Sequence, residues 1–260
     1  MPDVTVDFEH WPYPYWVAHR GAGKLAPENT MAAFQLGAHH GYRMFECDAK
    51  LAADDELFLL HDDDLDRTTS GSGLAGALRW PALQSLDAGS WHSPAYAAEP
   101  LASLDQLCAW ARANGYLLDV EIKPSPGADE ATGQAVAAFC AERWAATEIP
   151  PLLTSFKPHA LRAAQQTAPR LPRGLLLDRL WDGWFDAAQQ LACVALMLKH
   201  TLADAALVQR AHAARLRVGV YTPNAADDIA RVRAAGVDMI ITDAVDVHSP
   251  EHPPGPGPLK

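Results

Sequence analysis

The sequence predicts an α/β chain folded as a (β/α)8 TIM barrel, and three observations carry that expectation. Short, near-continuous apolar runs alternate with amphipathic stretches of helical period about eight times, the pattern of a parallel sheet covered on its outside by helices. The length of 260 residues suits one large domain, since barrels of this kind run to about 250 residues undivided. The early apolar runs end in ionisable residues, His19-Arg20 and Glu46-Cys47-Asp48 among them, as barrel strands do when they deliver chemistry at their carboxyl ends. A doubly wound open sheet is the structural alternative, but no Gly-rich nucleotide fingerprint follows the first run.

Each element has its own signals. Trp16-Val17-Ala18 reads as the first strand, and a helix is expected from about Asn29 to His40, with Asn29 or Thr30 at its cap and Gly41 past its end. Arg43 to Asp48 reads as the second strand. Asp54-Asp55 punctuates a turn into Leu57-Phe58-Leu59-Leu60, a strand outside the regular alternation. From Asp64 to about Pro100 the chain is rich in Gly, Ser and Asp without a long apolar period, too long for an ordinary connection in a compact domain. Regular alternation then resumes: a helix from Leu104 to Asn114 stopped by Gly115, a strand Leu117 to Ile122, a helix Asp129 to Ala145 and a strand Leu152 to Phe156. Helix His159 to Thr167, strand Gly174 to Leu177, helix Asp182 to Leu191 and strand Val194 to Leu198 follow. Helix Asp204 to Ala214, strand Val218 to Tyr221, helix Ala225 to Ala235 and strand Met239 to Ile241 complete the series. The barrel domain is placed at residues 1–248, and the Pro- and Gly-rich tail, 249–260, can form neither helix nor central strand.

Composition narrows the class of partner. A formal net charge of -11 excludes a nucleic-acid footprint, which needs Lys and Arg in excess. An anionic small substrate then requires a local positive site within an acidic protein. Cys47, Cys108, Cys140 and Cys193 are far apart with no Cys-x-x-Cys spacing, so buried free thiols in a reducing compartment are expected. Met1 to Trp16 carries acids where a signal peptide needs a basic segment. No run approaches the ~20 apolar residues of a membrane span. A cytoplasmic protein with no stable membrane insertion is expected.

Alternate strand residues share a face, so Glu46 and Asp48 point together, as do Glu121 and Lys123. Charged residues on one face of a buried strand are costly unless paired or bound to metal. Each pair by itself also fits a structural ion pair. Taken together, three carboxylates at one end of neighbouring strands make an all-oxygen site suited to a hard divalent cation, Mg2+ or Ca2+, rather than zinc. Cys47 points to the opposite face. His19 and His61 end apolar runs beside these carboxylates and are the acid–base candidates. The other histidines, His212 in a helix among them, read as surface or satisfied core residues. Arg20 and Lys123 supply positive charge for an anion, a role compatible with neutralising the carboxylates.

In chain order, His19-Arg20-Gly21, Pro27-Glu28-Asn29-Thr30, Glu46-x-Asp48, His61-Asp62 and Arg67-Thr68-Thr69-x-Gly71-x-Gly73 resemble the glycerophosphodiester phosphodiesterase family, of the bacterial cytoplasmic type. The resemblance continues through Leu86-Asp87-Ala88-Gly89-Ser90-Trp91, Glu121-Ile122-Lys123 and Gly236-Val237-Asp238-x-Ile240-Ile241-Thr242-Asp243. Any one triplet is weak, but the ordered series is specific. It implies a small insertion after the second barrel strand, here about Leu57 to Ala102. It also implies that His19 and His61 are the catalytic pair, Glu46, Asp48 and Glu121 the metal ligands, and Arg20 and Lys123 the phosphate contacts. Two departures are visible: Tyr221 stands where the family more often has Trp, and Ala244 where it usually has Pro.

The function implied is metal-dependent hydrolysis of glycerophosphodiesters to sn-glycerol 3-phosphate and an alcohol, with a 1,2-cyclic phosphate intermediate. The nearest rival is a related barrel phosphodiesterase acting on lysophospholipids. It would want an apolar membrane-facing rim, for which the insertion offers only Trp80, Trp91 and Tyr96. A binding barrel without activity is a rival of another class, and loss of any of the five acid–base and metal residues would have favoured it. A metal amidohydrolase would want His-x-His at the end of the first strand, where Gly21 stands.

Overall fold

The computed structural model describes residues 6–144, 148–248 and 250. Eight parallel strands, β1 (Trp16–Ala18), β2 (Met44–Leu51), β4 (Leu117–Ile122), β5 (Leu152–Ser155), β6 (Arg173–Leu177), β7 (Ala195–Lys199), β8 (Arg217–Tyr221) and β9 (Met239–Thr242), pair in sequence order. The pairing of β1 with both β9 and β2 closes the ring, so the chain forms the expected TIM barrel. The strand outside the alternation, β3 (Leu57–Leu59), adds antiparallel to the far end of β2, with Lys50 opposite Phe58. It leads the insertion after the second barrel strand.

Seven helices connect successive barrel strands: α1 (Met31–His39), α3 (Leu104–Asn114), α4 (Asp129–Arg143), α5 (Pro158–Thr167), α6 (Trp184–Gln190), α7 (Ala205–Ala213) and α8 (Ala226–Ala235). After β9 the described residues make a turn and no eighth helix. The helix ends follow their local chemistry. Thr30, not Asn29, is the N-cap of α1, its Oγ1 accepting from the Ala33 N–H at 3.3 Å. Ser103 and Gln106 form a reciprocal capping box on α3, and Gly115 ends that helix in the left-handed conformation. The expected tail, 249–260, lies outside the described residues but for Pro250.

The strands alternate between two cores. Outward residues such as Ala18, Phe45, Cys47, Val120, Leu175 and Val218 pack under the helices. Inward residues Val17, Met44, Leu152, Leu176, Met197, Met239 and Ile241 fill the barrel. The segment before β1 closes the amino end: Tyr13 enters this inner core and its hydroxyl donates to the Pro150 carbonyl at 2.8 Å. Buried Arg217 holds the same segment by donating to the Phe8 carbonyl and to Asp238. The amino end is thus packed shut, which leaves the carboxyl ends of the strands for chemistry.

The insertion contains the short helix α2 (Trp80–Gln84) and a small core of its own, with Phe58, Leu60, Leu65, Leu83 and Leu101 buried. Asp87 organises its loops by accepting from the backbone of Gly89, Ser90 and Ala98. Glu99 docks it on the barrel by accepting from the Ala32 N–H at 3.0 Å, in the first turn of α1, where a carboxylate also meets the positive end of the helix dipole.

Candidate active site

β2 and β4 run side by side with Glu46 opposite Asp119 and Asp48 opposite Glu121. Their alternate residues face the barrel axis, so the parallel register itself stacks the carboxylates. Glu46, Asp48 and Glu121 are all buried, and one oxygen from each lies within 4.8 Å of the others. Burial, with Asp48 close by, pushes Glu121 up to about 7 and Glu46 well above the usual carboxylate range. Asp48 behaves differently. Burial pushes it up, but Arg20 and Lys123 outweigh burial and hold it below the ordinary range.

Those two cations border the cluster. Arg20 Nε is 3.2 Å from Asp48 Oδ2, and Lys123 Nζ is 3.4 Å from Asp48 Oδ1 and 2.9 Å from Glu121 Oε1. The backbone N–H of Arg20 also donates to Glu46 at 3.0 Å. Asp48 Oδ1 is buried with no hydrogen-bond donor. A buried carboxylate oxygen with an ammonium 3.4 Å away but no hydrogen bond, in a cluster of three carboxylates, fits a cation site, and the donor set is all oxygen, as a hard cation wants.

Both histidines border the same cavity of about 200 Å3, with Arg20, Glu46, Glu121 and Lys123. Each ring is fixed by a carboxylate at Nδ1. His19 Nδ1–H donates to Asp243 Oδ1 at 2.6 Å, which leaves Nε2 directed toward Glu46, 3.8 Å away. Asp243 is itself held by the side-chain amide of Asn224 at 3.0 Å. Burial works against its charge, but the His19 and Asn224 hydrogen bonds keep it ionised, down at about 2. His61 Nδ1 is 2.7 Å from Asp62 Oδ1. Burial holds His61 below its usual value, so it is a neutral acceptor at pH 7. The structure therefore brings together all seven residues expected at the site.

It also brings in residues that were not among the expected site residues. Asp243, at the end of the last strand, orients His19. Asn29 donates to Asp48 Oδ2 at 2.8 Å and accepts from the Asp48 N–H, pinning that carboxylate. Glu28 joins Arg20 to Arg67, and Arg67 joins Glu28 to Asp62, so one chain of charges runs from Arg20 to His61. Asp119 faces inward beneath Glu121, and Tyr221 reaches the cavity from β8. The signal that singles out His19 was present for Asp243 as well: an ionisable residue directly after an apolar strand. Among the described residues no helix is long and apolar enough to cross a membrane.

The fold and site define a barrel phosphodiesterase, and the comparisons with known proteins say which. The glycerophosphoryl diester phosphodiesterase family model matches residues 19–247. The chain is 32% identical to the Bacillus subtilis protein YhdW over 238 residues, 89% of this chain and 95% of that one. It is 30% identical to a glycerophosphodiester phosphodiesterase of Caldanaerobacter subterraneus over 232 residues, 87% of this chain and 93% of the other. A solved Oleispira antarctica phosphodiesterase, in complex with the product sn-glycerol 3-phosphate, superposes with a TM-score of 0.84 at 31% identity, covering 89% of this chain and 93% of that one. The chain belongs to the glycerophosphodiester phosphodiesterase family and is an enzyme of it.

Proposed function

We propose that this enzyme hydrolyses glycerophosphodiesters to sn-glycerol 3-phosphate and an alcohol. The observation that carries the reading is one cavity bordered by two cations, two carboxylate-oriented histidines and Glu46 and Glu121, with Asp48 clustered on those two carboxylates. The Oleispira relative's product complex supports the same substrate class. Glu46, Asp48 and Glu121 would hold one divalent cation, Mg2+ or Ca2+. When bound, that cation neutralises phosphate charge and stabilises the charge that develops in the transition state. Arg20 and Lys123 would bind the non-bridging phosphate oxygens.

The reaction needs a nucleophile: of the cavity's hydroxyl residues, Thr154 is committed to Asp119 and Thr222 lies at the end of β8 beside Tyr221, while Cys47 is buried in the outer core. The substrate's own glycerol 2-hydroxyl fills the role. One histidine takes its proton as its oxygen bonds to phosphorus, and the other histidine protonates the departing alcohol oxygen as the second ester bond breaks. The product of that step is a 1,2-cyclic phosphate, which water opens with the histidine roles reversed. Internal attack has the advantage of an oriented intramolecular reaction, up to about 7–11 kcal/mol in favourable cases. Four buried free cysteines fit a reducing compartment, and the cytoplasm is the location we assign.

The test is turnover of a glycerophosphodiester against its 2-deoxy analogue at saturating substrate, with and without a chelator. Loss of turnover on chelation, its return with Mg2+ or Ca2+, and an inert 2-deoxy analogue are expected. A 2-deoxy analogue hydrolysed as fast as the parent would replace the cyclic route by direct attack of water. Full activity in metal-stripped protein would remove the cation from the reading.

A further inference from the structure

Asp119 and Glu121 of β4, and Lys123 just past its end, alternate toward the barrel axis, and the proposed chemistry uses only the last two. Asp119 is 1% exposed. Its Oδ1 accepts from the Thr154 hydroxyl at 2.7 Å, while its Oδ2 is buried with no partner. From β8, the Tyr221 hydroxyl is likewise buried with no partner. Both residues border the cavity that holds His19, His61, Glu46 and Glu121. A buried polar atom without a hydrogen bond costs stability, so two of them bordering one cavity mark a place where a ligand completes the set.

The geometry points to a hydroxyl-binding subsite for the glycerol moiety of the substrate, made by the free oxygens of Asp119 and Tyr221. This rests on the glycerophosphodiester reading above. The phosphate is drawn to Arg20, Lys123 and the carboxylate-bound cation, which leaves an uncharged polyol for the rest of the cavity. Leu176, Ile241 and the Phe156 ring, edge-on to Tyr221 at 5.7 Å between centroids, give the rest of the wall apolar patches beside Thr154 and Thr222. Apolar walls with a few polar atoms suit carbon-bound hydrogens and hydroxyls in turn. A cavity of about 200 Å3 suits a three-carbon polyol. Tyrosine at 221 is what supplies one of the two oxygens, since an indole there would bring no hydroxyl.

The experiment is calorimetric binding to Mg2+-loaded protein of two ligands: sn-glycerol 3-phosphate, and ethyl phosphate, which has the phosphate without the hydroxyls. The wild type is expected to favour sn-glycerol 3-phosphate. Tyr221→Phe and Asp119→Ala should each cut that preference about 5- to 10-fold, the worth of a single hydrogen bond, with ethyl phosphate held within about 2-fold. Tyr221→Phe removes one oxygen only and carries the test by itself if Asp119→Ala does not fold. An unchanged preference would mean the two oxygens hold ordered water, and would overturn the subsite. Equal weakening of both ligands would overturn it too, by placing these residues on the phosphate and cation. Failure of the wild type to bind either ligand would sink the proposed substrate reading, whereas tight but indiscriminate binding of both would sink the subsite alone.

Discussion

His19 and His61 meet the same requirement by separate means: a carboxylate on Nδ1 fixes the ring and its tautomer, so that Nε2 is left for the substrate. His19 is followed by Arg20, which sits at φ +50, an unusual conformation for a residue with a side chain. There it faces Asp48 and Glu28 together, with its backbone N–H on Glu46. His19→Ala and His61→Ala are each expected to lower kcat by about 10²–10⁴-fold. His212→Ala should leave kcat near wild type, because that histidine serves Asp238 at the far end of the barrel, 2.8 Å away. A His61→Ala enzyme with normal kcat would remove it from the acid–base pair. Asp243→Asn keeps the shape but loses the charge behind His19. A fall in kcat of about 10²-fold or more, with KM little changed, is expected; weaker substrate binding alone, with kcat unchanged, would make Asp243 a pocket residue rather than one that orients His19.

At the scale of elements, the loops after β1 and β9 must touch for Asp243 to reach His19, and glycine makes that possible. Gly23, at φ +58, lies so close to the Asp243 backbone that a Cβ would stand 2.1 Å from its carbonyl oxygen. Gly23→Ala is therefore expected to cost about 1–3 kcal/mol in urea unfolding, from the left-handed backbone and the overpacking together. It should also lower kcat by displacing Asp243. Equal stability and activity in this variant would show that the two loops part freely. Pro27-Glu28-Asn29-Thr30 is a second such element: Glu28 joins Arg20 to Arg67, Asn29 pins Asp48, and Thr30 caps α1 while donating to the Pro27 carbonyl. Its spacing in sequence gave away only the cap.

For the whole molecule, the stacked carboxylates couple stability, metal and pH. Glu121 is raised from an ordinary 4.5 to about 7 by burial and by Asp48, and burial likewise raises Glu46 well above the usual carboxylate range. A raised carboxyl contributes stability that is fully present below about 4.5 and is lost as pH rises through about 7, where the charges repel inside the barrel. A cation needs those carboxyls ionised, so its binding strengthens with rising pH and releases protons. Mg2+ is therefore expected to raise Tm more at pH 8 than at pH 6, with proton release measurable by calorimetry in buffers of different ionisation heat. Equal Tm shifts at the two pH values would detach the cation from Glu46 and Glu121.

The sequence by itself determined the barrel and the seven residues expected at its site. Apolar runs of strand length mark the strands and alternation by two puts Glu46 with Asp48 and Glu121 with Lys123, while His19, Arg20 and His61 stood out by following apolar runs and by the ordered motifs that resemble the family. The extra strand was legible as Leu57 to Leu60 because it broke that alternation. The tertiary structure decided what no local period contains. Closure of β1 onto β9 places Asp243 on His19, 224 residues apart in the chain. Register between β2 and β4 brings Asp48 beside Glu121 and Glu46 beside Asp119. The insertion folds back so that Arg67 joins Asp62 to Glu28. Such partners are chosen by which strand ends meet when the sheet closes on itself, and that is a property of the closed ring rather than of any segment in it.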